Sequence, residues 1–208
     1  TVEIGCAIKP IRGTWGSKLL VLERDGNDFT VAGKRYTEET IWKHVSQDLK
    51  TGFLIEERLV NTPNTAAIYP ASLNTFRVIM IKTNANIWHV AGSYFKFGTG
   101  GSQADNSHTG GMLVLTDDLG KTTAAWHNVL EQQLTHHPDT NAPLIGIQLD
   151  GYREVIDLAM KGSKALGFIG TMGWDIAYTE HGAKIVEING GWDPYYIQVA
   201  MGRGLITD

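Results

Sequence analysis

The sequence holds one cysteine, Cys6, so no disulfide can form within the chain, a composition that suits a reducing compartment. No apolar run approaches the roughly 18 residues of a membrane-spanning helix. The N-terminus also lacks the basic-then-apolar pattern of a signal peptide, so we expect a soluble, cytoplasmic protein with no membrane insertion. Lys and Arg number 18 against 22 Asp and Glu, a net charge of -4, which gives no basic footprint for a nucleic-acid backbone. Histidine and cysteine do not occur at zinc-ligand spacing: His136 and His137 lie in a Pro- and Asp-containing loop without a third partner and read as solvated. Internal repeats and low-complexity segments are absent. The chain starts on Thr1 and runs at once into strand formers, which reads as a fragment or processed chain.

What the sequence has in excess is glycine, 24 of 208 residues against a usual share of roughly 7%, and in clusters. Glycine clusters mark turns or a close approach of backbone to ligand. Hydrophobic residues make up 42% of the chain, enough for one large domain or two small lobes. Strand patterns cover 3–9 and 18–23 around a glycine loop at 10–17, and an amphipathic helix is expected from Glu38 to about Lys50, with Ile41, Trp42, Val45 and Leu49 at helical spacing. A strand at 52–60 follows. The stretch NTPNTAAIYPA has two prolines and no period, and we place a boundary there, dividing the chain into 1–61 and 62–208. Beyond it we expect strands at 75–82, 86–95 and 112–116, helices at about 122–134 and 148–165, a hairpin from Gly173, and a short C-terminal tail. Mixed order with antiparallel hairpins favours an α+β fold.

Two segments fail as phosphate loops. GKT at 120–122 lacks the upstream glycine of a P-loop, which is Leu115 here, and FGTGGSQ at 97–103 has Gln103 where a dinucleotide fingerprint has its third glycine. A third, IKPIRGTWGSKLLVL, joins two strands by a turn with Gly13, Gly16 and Ser17 that could offer N–H groups to phosphates beside Lys9. By itself it reads first as a surface hairpin with a solvated lysine, because a single glycine-rich turn is weak evidence.

The hairpin GWDIAYTEHGAKIVEINGGWD ends one arm in Glu187-x-Asn189 and carries Asp175 in the other. A three-residue loop, Glu180 to Gly182, pairs Asp175 with Glu187 and Gly173 with Asn189, and places Asp175, Glu187 and Asn189 on one face. A two-residue loop would make the acids diverge. Opposed carboxylates repel unless a cation lies between them or one is protonated. An all-oxygen set suits Mg²⁺ or Mn²⁺ over Zn²⁺. An edge hairpin with exposed acids is the alternative.

Lys9-Pro10 with its glycine turn, LIEERL at 54–59, SLNTFRVIMI at 72–81, ADNSHTGG at 104–111 and the hairpin together resemble the ordered landmarks of the ATP-grasp superfamily, and most of all its sugar-transfer-associated proteins. The resemblance implies an α+β fold of two lobes with antiparallel sheets clasping ATP, a partial small lid lobe at 1–61 and a large lobe at 62–208. It implies Lys9 on the α- and β-phosphates, Gly13, Gly16 and Ser17 in a closing lid, and Glu56, Glu57 and Leu59 in a hinge that reads adenine. It implies Arg77 on the γ-phosphate or a phosphorylated intermediate, and Asp175, Glu187 and Asn189 as ligands of Mg²⁺ or Mn²⁺. Asn106, Gly110 and Gly111 match a loop bordering the acceptor. His108 within that loop is a candidate acceptor-site group or proton carrier, against a plain surface histidine.

The implied activity is an ATP- and Mg²⁺-dependent carboxylate-amine ligase that forms a C–N bond through an acyl phosphate, with a small-molecule, peptide or sugar acceptor in envelope or polysaccharide assembly. An upstream ATP-contacting lysine and an N-terminal substrate domain have no counterpart in the sequence, which implies weak ATP binding or absent turnover. An ATP-binding module without turnover and a kinase acting on a sugar or polyol therefore stay open, with a carbohydrate-binding domain as the outsider. Asp105 and Asp193 are the acids next suspected of touching substrate. Trp15 and Trp192 flank the implied site, where packing on glycine turns is their default role, and Cys6 is read as a small core residue.

Overall fold

The computed structural model describes residues 5–11, 19–26, 28–31, 33–46, 52–106, 110–127, 129–167 and 169–205. It divides into two compact units, Thr1–Leu59 and Val60–Asp208.

The first unit has strands β1 (Cys6–Pro10), β2 (Leu20–Asp25), β3 (Asp28–Val31) and β4 (Lys34–Tyr36), helix α1 (Glu38–Ser46) and strand β5 (Phe53–Glu57). The sheet order is β4-β3-β2-β1-β5, antiparallel throughout. Ile8, Leu22 and Val31 of the sheet bury against Val45 of α1. Glu38 and Glu39 in the first turn of α1 and Lys43 and His44 in its last complement the helix dipole. Cys6 packs partly buried on this core, and burial lifts its thiol pKa.

The second unit comprises α2 (Pro63–Ala66), β6 (Thr75–Lys82), β7 (Trp88–Phe97), β8 (Met112–Thr116), β9 (Thr122–His127), β10 (Gln132–Leu134), α3 (Tyr152–Ala165), β11 (Thr171–Thr179), β12 (Gly182–Asn189) and α4 (Tyr195–Met201). Its antiparallel sheet runs β10-β9-β8-β7-β6-β11-β12, so the chain returns through β11 to lie beside β6 at the centre. Strand alternation sorts the two faces. Phe76, Val78 and Met80 join Phe95, Phe97, Trp174 and Ile176 in the core under α3, where Val155 and Ala159 are fully buried. Trp174 donates its indole N–H to Ser163 of that helix at 2.8 Å. Ile79, Tyr94, Leu113 and Leu115 form the other face, covered by Ile197 of α4.

Three expectations are corrected. The helix at 122–134 is the strand pair β9 and β10, with Thr122 opposite Thr116 and Ala125 opposite Val114. β-branched Thr122 and Thr123 and an alternating burial pattern prevail over a short apolar cluster that imitates a helix face. The C-terminal tail contains α4, closed by Gly202 in the left-handed region at φ 64°. The third concerns the hairpin turn: Thr179 pairs with Gly182, so the loop has two residues, Glu180 and His181. The pairing shifts between Ile176 and Asp175, where Val186 is an extra residue in β12. That bulge places Asp175 opposite Glu187 and Gly173 opposite Asn189 by a route the turn argument did not foresee.

Among the described residues no helix is long and apolar enough to cross a membrane.

Candidate functional site

Strand β6 is the axis of the site. Arg77 pairs with Tyr94 of β7 on one side and Asp175 of β11 on the other, and Thr75, two residues earlier on the same face, pairs with Lys96. Sheet geometry therefore stacks charged side chains across three adjacent central strands. Arg77 grips Asp175 with both arms of its guanidinium: Nη2 lies 2.9 Å from Oδ2, and Nε donates to Oδ1. Lys96 Nζ reaches Asp175 Oδ2 at 3.1 Å and Asp105 Oδ1 at 3.3 Å. Thr75 donates its hydroxyl to Asp105 Oδ2 at 2.5 Å. Asn189 of β12 adds a long hydrogen bond, Nδ2 to Asp175 Oδ2 at 3.5 Å.

The cluster is two cations and two acids with little exposure, 7% for Lys96, 9% for Asp105 and 4% for Asp175, so every charge depends on its neighbours. Burial alone would raise the Asp175 carboxyl, but Lys96 and Arg77 hold it below the ordinary carboxylate range. At Asp105 burial prevails: the pKa is lifted, with the Asp175 charge adding to the lift and Lys96 opposing it. Burial works against both cations, and their acids outweigh it, so Lys96 and Arg77 are firmly protonated. Burial also raises the Tyr94 phenol beside them.

Of the residues singled out from sequence, the structure brings Arg77, Asp175 and Asn189 together, with exposed Glu187 facing Asp175 across the strand pairing. Lys9, in the first unit, pairs with Glu56 at 2.7 Å. Glu57 lies exposed opposite Cys6, and Leu59 is half-buried. Gly13, Gly16, Ser17, Trp15 and His108 fall outside the described residues. The Asn106 carbonyl accepts a hydrogen bond from Gly111 N–H at 2.9 Å, and the Gly110 carbonyl accepts one from the Thr99 hydroxyl at 2.6 Å. Gly111 leaves no room for a side chain: a Cβ there would lie 2.7 Å from the carbonyl oxygens of both Asp105 and Asn106. Trp192 donates to Thr171 at 2.8 Å and packs across Gly173, while exposed Asp193 accepts the Tyr195 N–H at 2.8 Å.

Lys96 was not singled out. Lys96 had a readable signal, a lysine within the apolar run GSYFKFG at the same strand phase as Tyr94. His137 is corrected from solvated to buried, at 1% exposure. It stacks on Tyr69, bonds Gly98 O through Nε2 at 2.9 Å and accepts the Asp139 N–H at 3.2 Å.

As a metal site the donors are hard oxygens. Asp175 Oδ2 already receives Arg77, Lys96 and Asn189, whereas Oδ1 receives, among the described residues, Arg77 Nε and keeps lone-pair capacity. With the exposed Glu187 carboxylate and the Asn189 amide oxygen, this set fits a hard divalent cation such as Mg²⁺. Among the described residues no group of three His, Cys, Asp or Glu gathers at metal-binding distance, so the amide is needed to complete the set.

The model of the family described as sugar-transfer associated ATP-grasp matches residues 1–208. Among solved structures the chain is similar to an ADP complex of purK, N5-carboxyaminoimidazole ribonucleotide synthetase, with a TM-score of 0.51 and 12% identity over 95% of this chain. The chain spans 38% of that protein, and at such identity the likeness is one of fold. No curated protein matches the sequence.

Proposed function

The chain belongs to the sugar-transfer associated ATP-grasp family, and from that premise we propose that it is an ATP- and Mg²⁺-dependent ligase joining a carboxylate to an amine. The supporting observation is the Arg77–Asp175 pair on adjacent central strands, with Asn189 and Glu187 beside it. A guanidinium has five N–H donors, and with Nε and Nη2 held by Asp175 the arginine is oriented to offer others to phosphate oxygens, while the acids and amide beside it supply oxygens for the counter-cation. Asp175, Glu187 and Asn189 would hold Mg²⁺, whose charge would offset that of the phosphates.

The first unit serves as the lid lobe and the second as the metal lobe. Arg77 binds the γ-phosphate and steadies charge as it develops there. Lys9, whose partner here is Glu56 at 2.7 Å, turns to the α- and β-phosphates. Glu56, Glu57 and Leu59 read adenine, and Gly13, Gly16 and Ser17 close over the triphosphate. An oxygen of the acid substrate attacks the γ-phosphorus, the bond to the bridging oxygen breaks, and ADP leaves. The amine then attacks the acyl carbon and phosphate departs, giving the amide. Asn106, His108, Gly110 and Gly111 border the acceptor and shield the acyl phosphate from water. Envelope or polysaccharide and peptide assembly in the cytoplasm is the setting we assign.

Calorimetry with ATP and Mg²⁺, on the protein and on Asp175→Ala with Glu187→Ala, tests this. Binding that the double variant loses is expected; no binding by the wild type sinks the reading. ADP release that requires both an acid and an amine identifies a ligase. Release with an alcohol alone identifies a kinase, and binding without release under any mixture leaves an ATP-binding module.

A further inference from the structure

Lys96 has no part in the roles assigned so far, yet it is the group through which two segments of the site meet. Its ammonium is buried in the sheet face, 3.1 Å from Asp175 and 3.3 Å from Asp105. Asp175 lies on β11 beside Glu187 and Asn189. Asp105 stands near the head of the 104–111 segment, next to Asn106, whose carbonyl accepts the Gly111 N–H at 2.9 Å. Asp105 is fixed from β6 by Thr75 and from β7 by Lys96. Lys96 itself is rigidly placed: its backbone pairs with Thr75 and Leu113, and the flanking Phe95 and Phe97 are core side chains on the opposite face.

We propose that Lys96 is a positioning residue of the nucleotide–metal site, tying the Asp175 carboxylate to the head of the 104–111 segment and supplying a standing positive charge beside the metal ligands. This rests on the ATP- and metal-binding reading above and extends it to a residue outside the resemblance. A lysine suits the task because its ammonium is a compact charge able to donate to two acids at once, where the arginine fork at residue 77 is committed to one carboxylate.

The electrostatic consequence has opposite signs for the two ligands. Loss of a positive charge next to Asp175 leaves the site more attractive to a cation and less attractive to a polyphosphate. A residue that only held the fold together would weaken both. The test measures Mn²⁺ alone by electron paramagnetic resonance and metal-free ADP by calorimetry, on wild type, Lys96→Met and Lys96→Arg.

For Lys96→Met the expected result is Mn²⁺ binding tighter by about tenfold and ADP binding weaker by about tenfold, with Lys96→Arg within about twofold of wild type for both. Both ligands weakening together, or neither changing, overturns the proposal while leaving the nucleotide reading in place. Wild type that binds neither Mn²⁺ nor ADP overturns both. Should Lys96→Met fail to fold, the same substitution is read against Asp105→Asn as its parent, where one fewer acid is stranded. The same opposed shifts are expected there, and parallel losses overturn the proposal again.

Discussion

Arg77 and Asp175 face each other across the pairing of two central strands, the guanidinium Nη2 2.9 Å from Oδ2 and Nε on the second oxygen, with Asp175 only 4% exposed. Asp175 is the main counter-charge of Arg77, while Asp175 is neutralised by Lys96, 3.1 Å from Oδ2, together with Arg77, at a depth where water contributes little. Arg77→Met or Asp175→Asn should each destabilise the protein by about 3–5 kcal/mol, because each leaves a buried charge short of its partner. The double change Arg77→Met with Asp175→Asn should cost clearly less than the sum of the single changes. Urea unfolding of the four proteins checks this as a double-mutant cycle, and additive losses would show that the two residues do not depend on one another.

The two acids of the cluster should give opposite dependences on pH. Lys96 and Arg77 overcome the effect of burial and depress Asp175, so its contribution to stability is present above the ordinary carboxylate value of about 3.9 and is lost as pH falls through its lower native value. Burial raises Asp105, so its contribution is full below about 3.9 and is lost as pH rises through its higher native value. Asp105→Asn should therefore remove a decline in stability that runs from about 3.9 up to that higher value, and leave the acid-side loss intact. Urea midpoints measured from acid to neutral pH decide it: wild type and Asp105→Asn profiles running parallel throughout would mean that Asp105 titrates normally.

The parts of the fold that could be read from sequence are those where local pattern and tertiary packing agree. Thr75–Lys82 and Met112–Thr116 occupy the ranges expected of them because their short apolar runs are buried on both faces of the sheet, Val78, Met80, Met112 and Val114 on one side and Ile79, Leu113 and Leu115 on the other. At Thr122–Leu134 the apolar spacing suggested a helix, and only pairing with Met112–Thr116 decides for strands. The hairpin is instructive in a different way: the turn chosen from Gly182 was one residue too long, and Val186 makes up the difference as a bulge. Asp175 and Asn189 could be drawn together because strand phase is a local property, whereas Arg77 joined them only through the resemblance, since its place depends on the long-range pairing of β6 with β11. The link from Lys96 to Asp105 could not be drawn, since it depends on where the intervening glycine turn returns the chain.

His137 offers a test of such a returning loop. Its ring is stacked 4.8 Å from Tyr69 and meets Phe97 edge-on, and both nitrogens are engaged: Nδ1 accepts the Asp139 N–H, so Nε2 carries the proton given to Gly98 O. Asp139 in turn accepts the Gly100 N–H at 2.6 Å, so the 136–143 loop holds the glycine turn that connects Lys96 to Asp105. His137→Phe keeps an aromatic ring in place but strands the buried Gly98 carbonyl, at about 1–3 kcal/mol, and frees the less buried Asp139 N–H. Hydrogen exchange should accelerate at the Gly100 and Asp139 amides while those of Val78 and Ile176 in the sheet centre stay protected. A variant as stable as wild type, with unchanged exchange at Gly100, would mean that the ring's packing alone holds the turn and its two hydrogen bonds contribute nothing.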